Sequence, residues 1–450
     1  MDEAEILAFA DRLKAKKEPS ADPLTDDALA LAFADRNPLL RYVEERGKWM
    51  RWTEYRWVPD ATGHTFANIR DMLRSMPAPN RGAVESAKTV AAVEKLARYD
   101  RCIAATLEQW DADDWLLNTP SGIFNLRTGD IGPSDPIAYM TKATAAAPGG
   151  DCPRWRQFLR EVTDDDIALA DFLQRMAGYT LSGSIREHAL FFLWGTGGNG
   201  KGVYLNTLHA VLGDYSVVSS METFTASHSE RHPTDLAALN GARLVIAQET
   251  EDGRRWAESR IKALTGGDPI SARFMRQDFF TFLPRFKLVI AGNHKPRLVN
   301  VDEAMRRRLH LVPFTVSIPA HRRDNALTER LRAEWPGILQ WAIDGCREYL
   351  AQGLNPPAAV REATANYFGA EDLFGQWLAD CCEEGAKYWE IPTRLFKSWT
   401  TYCAEANERP GRMQQFAERM RTRGFQEQRD MGQRRWTGLR LDPTQVSFGE

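Results

Sequence analysis

Seven residues, Gly195-Thr196-Gly197-Gly198-Asn199-Gly200-Lys201, set glycines and a lysine at the G-x-x-x-x-G-K spacing. The chemistry of that spacing is phosphate binding. Glycines let successive backbone N–H groups turn inward around an anion, and the lysine reaches the β and γ phosphates of a nucleotide. The loop follows the apolar run Leu190-Phe191-Phe192-Leu193-Trp194 and leads into a helical pattern from Val203 to Leu212. The helix N-terminus adds positive potential, and this strand–loop–helix context separates a nucleotide loop from a chance match. The candidate nucleotide ligands are Gly195, Thr196, Gly197, Gly198, Asn199, Gly200, Lys201, Gly202 and Val203. Gly202 stands where Ser or Thr would offer Mg²⁺ a hydroxyl. Two readings stay open: acidic residues and water hold the metal, or the site binds nucleotide and hydrolyses it poorly.

A second strand, Leu244-Val245-Ile246-Ala247-Gln248-Glu249, has four apolar residues, then an amide and an acid. A carboxylate at the C-terminal end of a strand points into the ligand crevice of an open α/β sheet. Glu249 is the candidate for polarising an attacking water and for helping to hold Mg²⁺. Gln248 replaces the usual second acid, so the metal site is thin on both sides, and Glu251 is the nearest acid that could compensate. The plain alternative for each acid is a surface glutamate after a strand.

These residues need elements to position them. Buried strands are expected at 190–194, 243–247, 286–291 and 309–314, with helical segments between the first three. That alternation argues an α/β domain with a mostly parallel sheet. Pro269 to Met275 and Phe279 to Leu283 flank Arg276-Gln277-Asp278, the pattern of a hairpin with a polar tip. Upstream, a helix is expected over 1–17, a linker over 18–23, and a helix from Asp26 to Phe33 with Thr25 as N-cap. An aromatic hairpin is expected around 47–60, a helix over about 82–109, short strands over 115–130 and helices over 155–181. After about 325 the pattern is helical. Residues 371–450 show three short amphipathic helices and a two-stranded wing.

Composition frames this. The chain has 450 residues, 43% hydrophobic and 26% charged, which excludes a disordered or collagen-like polymer. Its apolar runs fall far short of the ~18 residues that span a bilayer. Met1-Asp2-Glu3-Ala4-Glu5 is acidic where a signal peptide would be basic, so an intracellular protein is expected. The six cysteines form no C-x-x-C motif and are expected to be free thiols. The net charge of −3 suggests no nucleic-acid partner until it is divided along the chain. Residues 409–440 carry nine arginines against three acids, +6, which leaves −9 elsewhere. A basic segment of that kind suits a phosphate backbone, and a solvated protein-contact surface is the alternative.

The order of these blocks resembles the superfamily 3 helicases of phage and plasmid primase/helicase proteins, poxvirus-like AAA+ ATPases. The matching residues include Leu117 to Gly129, Phe172 to Tyr179, Gly195 to Lys201, Leu239 to Glu249 and Ile261 to Arg273. Ala291-Gly292-Asn293-His294-Lys295-Pro296 and Arg306 to Phe314 complete the set. The resemblance implies an α/β fold: an AAA+ P-loop ATPase core, an α-rich N-terminal domain and a C-terminal winged helix. The implied boundaries are an accessory domain over 1–148, a helical collar over 149–188, the ATPase over 189–325, a helical region over 326–370 and the winged helix over 371–450. It implies that Lys201 and Glu249 serve catalysis, that Asn293 is the sensor asparagine and that Arg307 or Arg308 is an arginine finger for the neighbouring subunit. It implies that the hairpin grips DNA in a central channel, with Lys262, Arg273 and Arg276 as the cations. Arg421, Arg423, Arg434 and Arg435 are the corresponding candidates in the winged helix.

The expected activity is ATP- and Mg²⁺-dependent unwinding of DNA by a homo-hexameric replicative helicase in a bacterial host cytoplasm, with no membrane role. A separate primase or polymerase is the expected partner, because residues 1–150 lack the paired acids and histidine of a two-metal polymerase site. The alternative is a DNA-binding replication initiator or loader that uses nucleotide mainly for assembly, which Gly202 and Gln248 favour.

Overall fold

The computed structural model describes residues 25–76, 84–226, 234–249, 253–276, 278–298, 302–319, 321, 323–430 and 432–443. The helix and linker expected before residue 24, and Glu251, lie outside the described residues.

The first described part mixes helices and small antiparallel sheets. Helix α1 (Asp26–Arg36) starts as expected, with Thr25 Oγ1 accepting from Ala28 N at 3.2 Å. Strands β1 (Leu40–Val43), β2 (Lys48–Trp52) and β3 (Trp57–Pro59) form an antiparallel meander. Helix α2 (His64–Ser75) follows, and the helix expected over 82–109 is realised in α3 (Ala87–Ala97). The shortening has a local cause: Asp100 Oδ1 accepts from Cys102 N at 2.8 Å, an Asx turn that diverts the chain. Phe33, Trp49, Ile69 and Val93 pack into one apolar cluster there. Strands β4 (Leu116–Thr119), β5 (Gly122–Asn125) and β6 (Ile131–Gly132) make a second small sheet.

Helices α4 (Pro153–Thr163) and α5 (Ile167–Leu181) lead into the central sheet. Its strands are β7 (Leu190–Trp194), β8 (Ser216–Val218), β9 (Leu244–Glu249), β12 (Lys287–Gly292) and β13 (Leu309–Pro313). The spatial order is β13-β7-β12-β9-β8, and every neighbouring pair is parallel. Helix α6 (Lys201–Leu212) connects β7 to β8, and α7 (Glu258–Gly266) follows β9. The hairpin strands β10 (Ile270–Ala272) and β11 (Phe280–Phe282) come before β12. A four-residue turn of helix, α8 (Glu303–Arg306), precedes β13.

The strands read as continuous apolar runs because both faces of the sheet are covered. Phe191, Leu193, Leu244, Ile246 and Val289 pack into one cluster. It also holds residues of α4, α5, α6 and of α9 (Trp335–Gln352). Leu190, Phe192, Val245, Leu288 and Ile290 face the other cluster, with residues of α7 and of α10 (Ala358–Glu371). The expected α/β fold with a parallel sheet is present. Edge strand β8 was not foreseen, because three residues are too few to show a run.

The C-terminal unit has α11 (Leu373–Cys381), β14 (Cys382–Glu390), α12 (Pro392–Glu405), α13 (Met413–Thr422), β15 (Gln426–Asp430) and β16 (Gln433–Leu441). Its three strands are antiparallel in the order β14-β16-β15 around the buried Trp377, Trp399, Phe416 and Trp436. Strand β14 was missed from sequence because it is largely exposed and irregular, with a register shift between Glu384 and Trp389. Among the described residues no helix is long and apolar enough to cross a membrane.

Candidate functional site: a phosphate loop at the strand ends

The chain leaves β7 for the far edge of the sheet and then builds back towards it, passing over β7 to β13. That reversal opens a crevice at the C-terminal ends of the central strands. The register makes these ends level: Gly292 pairs with both Trp194 and Glu249, and Pro313 pairs with Trp194. The phosphate loop, Asn293 and the end of β9 therefore converge although they are far apart in sequence.

The loop is held from below. Gly200 caps α6 with φ +85°, and a Cβ there would stand 2.5 Å from Val162 Cγ1 and 2.9 Å from Phe158 Cε2 of α4. Both the left-handed backbone and the close approach demand glycine at this position. Lys201 begins α6 and is 6% exposed. Its Nζ donates to Gly195 O at 2.7 Å, Asn199 Oδ1 at 2.9 Å and Asn293 Oδ1 at 3.2 Å. All three partners are neutral dipoles. Burial pushes the Lys201 ammonium down to about 8, because no charge compensates for the lost water. A phosphate would supply that charge.

Asn199 carries a role that loop spacing did not reveal. Its side chain is buried, donates Nδ2 to Phe314 O at 2.7 Å and accepts from Lys201. It thus ties the loop to the end of β13 and orients the lysine. Asn293 is positioned by its backbone, whose carbonyl accepts from Trp194 Nε1 at 3.2 Å. Thr196 and Gly198 are exposed, Gly197 and Val203 are half-buried, and Gly202 is exposed with open space around its α-carbon. Glu249 closes β9 level with Gly292, and its side chain lies outside the description. Among the described residues no group of three His, Cys, Asp or Glu side chains is arranged to hold a metal ion.

Arg306, Arg307 and Arg308 lie at the opposite end of the sheet. Arg308 precedes β13, whose Leu309 is level with Leu190. Five strand residues, roughly 16 Å, separate it from the loop. Arg308 is half-buried, with Nε donating to Thr265 Oγ1 at 3.2 Å and Nη1 to Ala304 O at 2.9 Å. Arg306 lies over the Phe368 ring. Arg307 is exposed, with one long contact to Glu303 O at 3.4 Å.

The hairpin loop between β10 and β11 carries Arg273 and Arg276 and is apart from Lys262. Arg273 lies 4.8 Å over the Phe279 ring, and Arg276 is exposed with φ +60°. Neither has a carboxylate partner among the described residues. Lys262 is on α7 and forms an ion pair with Asp302, which also caps Met305 N at 2.8 Å. The expected trio of hairpin cations is thus split, with Lys262 neutralised outside the hairpin.

The four arginines singled out in the C-terminal unit are all paired with acids. Arg421 meets Glu427 at 3.1 Å, Arg434 meets Glu427 at 3.6 Å, and Arg423 meets Asp372. Arg435 meets Asp430 at 2.6 Å and stacks 3.8 Å over Trp389. Arg409, Arg412 and Arg429 are exposed and form no ion pair with described residues.

Two basic residues inside the fold also escaped sequence reasoning. Arg243 donates to Leu116 O at 2.7 Å and lies 4.4 Å over Tyr215. Lys287 is buried, donates to Ser182 O and Ser184 O, and has its ammonium pushed well down by burial. Both sit where β9 and β12 begin and serve as clamps on neighbouring backbone.

Residues 27–164 match a family described as D5 N terminal like, and residues 193–308 match a family of unknown function (DUF5906). The protein named Putative helicase L207/L206 of Acanthamoeba polyphaga mimivirus is 25% identical over 299 residues, 61% of this chain and 31% of its own length. Putative helicase 022R of Frog virus 3 is 28% identical over 232 residues, 46% of this chain and 24% of its own. The chain therefore spans a quarter to a third of these relatives. The apo structure of the NrS-1 C terminal region (305-718) has a similar fold, with TM-score 0.50 and 9% identity over 93% of this chain and 99% of that one. The chain is thus similar to viral proteins named putative helicases and carries a region that matches the D5 N terminal like family.

Proposed function

We propose that the chain is an ATP-driven DNA helicase subunit of a replication module, with an AAA+ P-loop core of the superfamily 3 type. The observation that carries this reading is the meeting of Lys201 Nζ with Asn293 Oδ1 at the level strand ends, 3.2 Å apart. A buried ammonium on neutral dipoles and an amide beside it form a receptor for a terminal phosphate. The names of the viral relatives support a helicase role.

In this reading the loop N–H groups and Lys201 neutralise the phosphates of ATP, and Asn293 holds the attacking water or the γ phosphate. Glu249 polarises that water from the end of β9. Arg307 is too far down the sheet to serve its own loop, so it acts on the nucleotide of a neighbouring subunit, stabilising transition-state charge. That division requires a ring, for which a homo-hexamer is proposed. The residues fit ATP. They fit Mg²⁺ less well: Gly202 has no hydroxyl and Gln248 is an amide, so Glu249 is the one acid named for the ion. Mg²⁺, when bound, would neutralise phosphate charge.

Arg273 and Arg276 are proposed to follow a DNA backbone without regard to sequence. The C-terminal unit, with its order of helix, strand, two helices and two strands, is proposed to be a winged helix that adds DNA contacts. A separate primase or polymerase, and a host cytoplasm, belong to the same proposal, as do the domain limits at 148, 188, 325 and 370. The bare Gly202 favours a second reading, a replication initiator that uses nucleotide for assembly. Electron microscopy of the protein with forked DNA and an ATP analogue tests the first reading. The expected particle is a ring with residues 273–278 lining its pore, and a monomer under every condition contradicts it.

A further inference from the structure

One cation beside the phosphate loop has no role in the scheme above. After β13 the chain doubles back over the loop: Phe314 N donates to Trp194 O at 2.7 Å, and Ile318 N donates to Gly198 O at 3.1 Å. Arg323 closes this turn, with Nε donating to Ile318 O at 2.8 Å. Its guanidinium lies directly against Gly198, so that a Cβ on Gly198 would overlap Arg323 Nη2. Gly198 has φ +64°, which also suits glycine.

The electrostatics of that position call for an anion. Arg323 lies against Gly198, in the loop that leads to Lys201 and to the positive N-terminal end of a twelve-residue helix. Arg323 is exposed, and its Nη1 and Nη2 have no acceptor and no carboxylate among the described residues. The adjacent acid gives it no partner, since Asp324 turns away to Arg330 at 3.0 Å and Arg154 at 3.8 Å. With one of five N–H donors engaged, the fork keeps two nitrogens free for a bidentate oxyanion contact.

We infer that Arg323 is a phosphate ligand of the bound nucleotide, supplied by the same subunit that supplies the loop. This rests on the nucleotide-loop reading above. It differs from the trans role of Arg307, because Arg323 is anchored to its own Gly198 through Ile318. Arg323 thus gives the site a second cation, set against Gly198.

The test is titration of the full chain with a fluorescent ATP analogue, with inorganic tripolyphosphate as competitor and thermal melting without ligand as control. Arg323→Ala is expected to weaken both the analogue and tripolyphosphate about 10- to 100-fold, the range of a charge-assisted hydrogen bond. Its melting temperature without ligand should match wild type, and Arg323→Lys should recover part of the affinity. Wild-type affinity in Arg323→Ala, with Lys201→Ala still defective, overturns the inference and leaves the nucleotide reading intact. A lowered melting temperature without ligand overturns it too, because the arginine then serves the fold. No binding by the wild-type chain removes the nucleotide reading itself.

Discussion

The glycine-lysine loop and the C-terminal unit both carry cations proposed to meet phosphate, but they hold them in different ways. Lys201 is buried and its three partners are carbonyl oxygens without charge. The basic residues of the C-terminal unit that stand out in the sequence, Arg421, Arg423, Arg434 and Arg435, each face a carboxylate. A cation on neutral dipoles is short of a counter-charge and gains from an arriving anion. A cation already paired gains little, because a phosphate must displace an acid that is in place. Local charge density therefore overstates a nucleic-acid surface. Arg409, Arg412 and Arg429, exposed and without an ion pair among the described residues, are the better candidates, although their spacing gave no hint of it.

Four experiments set a cation on neutral dipoles against cations paired with acids. The largest effect is expected at Arg307, which has no acid partner among the described residues and lies at the opposite end of the sheet from the loop. Arg307→Ala should lower ATP turnover about 1,000-fold, the lower end for an arginine finger, and leave nucleotide affinity near wild type. Steady-state ATPase assays beside binding titrations check this, and equal losses in both would place Arg307 in its own subunit's site. Next is Lys201→Ala, which should weaken nucleotide binding about 100-fold by removing a charge-assisted contact. Unchanged affinity would mean that the neutral cradle is structural.

The third experiment compares two triple variants by DNA affinity over a range of salt. Replacing Arg409, Arg412 and Arg429 with alanine should reduce the salt slope by up to about three, since each duplex phosphate contact contributes about 0.9. Replacing Arg421, Arg434 and Arg435 should reduce it by less than one. The reverse order would show that the ion pairs open on DNA.

The smallest effect is protonic. Without ligand the Lys201 ammonium titrates at about 8, and a bound phosphate raises it again. Nucleotide binding should therefore take up a proton above pH 8 and almost none at pH 7, so affinity falls as pH rises past 8. Calorimetry in buffers of different ionisation enthalpy reads this directly. Without nucleotide the sign for stability is opposite to that of a paired lysine. The unfolded chain binds the extra proton between about pH 8 and 10.5, so this group makes stability rise across that window. The Lys201→Met chain should lack that increment.

Spacing within a few residues was readable, and pairing across the fold was not. The loop from Gly195 to Lys201 and the four buried strands followed from local pattern, because glycine positions and apolar runs are set by the backbone. Asn293 was found through the order of blocks, and the level strand ends explain why it meets Lys201. Asn199 was placed in the loop but not given its task, since Phe314 lies 115 residues away. Lys262 was grouped with the hairpin, yet Asp302, 40 residues on, holds it elsewhere. Arg323 drew no expectation from the sequence, because what brings it against Gly198 is the fold-back of the chain after β13. In each miss the residue type was visible and its partner was remote.

ATP hydrolysis with and without single-stranded DNA, measured on the wild-type chain, Lys201→Ala and Glu249→Gln, tests the central claim most directly. DNA is expected to accelerate hydrolysis by the wild type. Both variants are expected to lose turnover, while Glu249→Gln still binds ATP. A wild-type chain that binds DNA but hydrolyses no ATP would contradict that claim and favour the initiator.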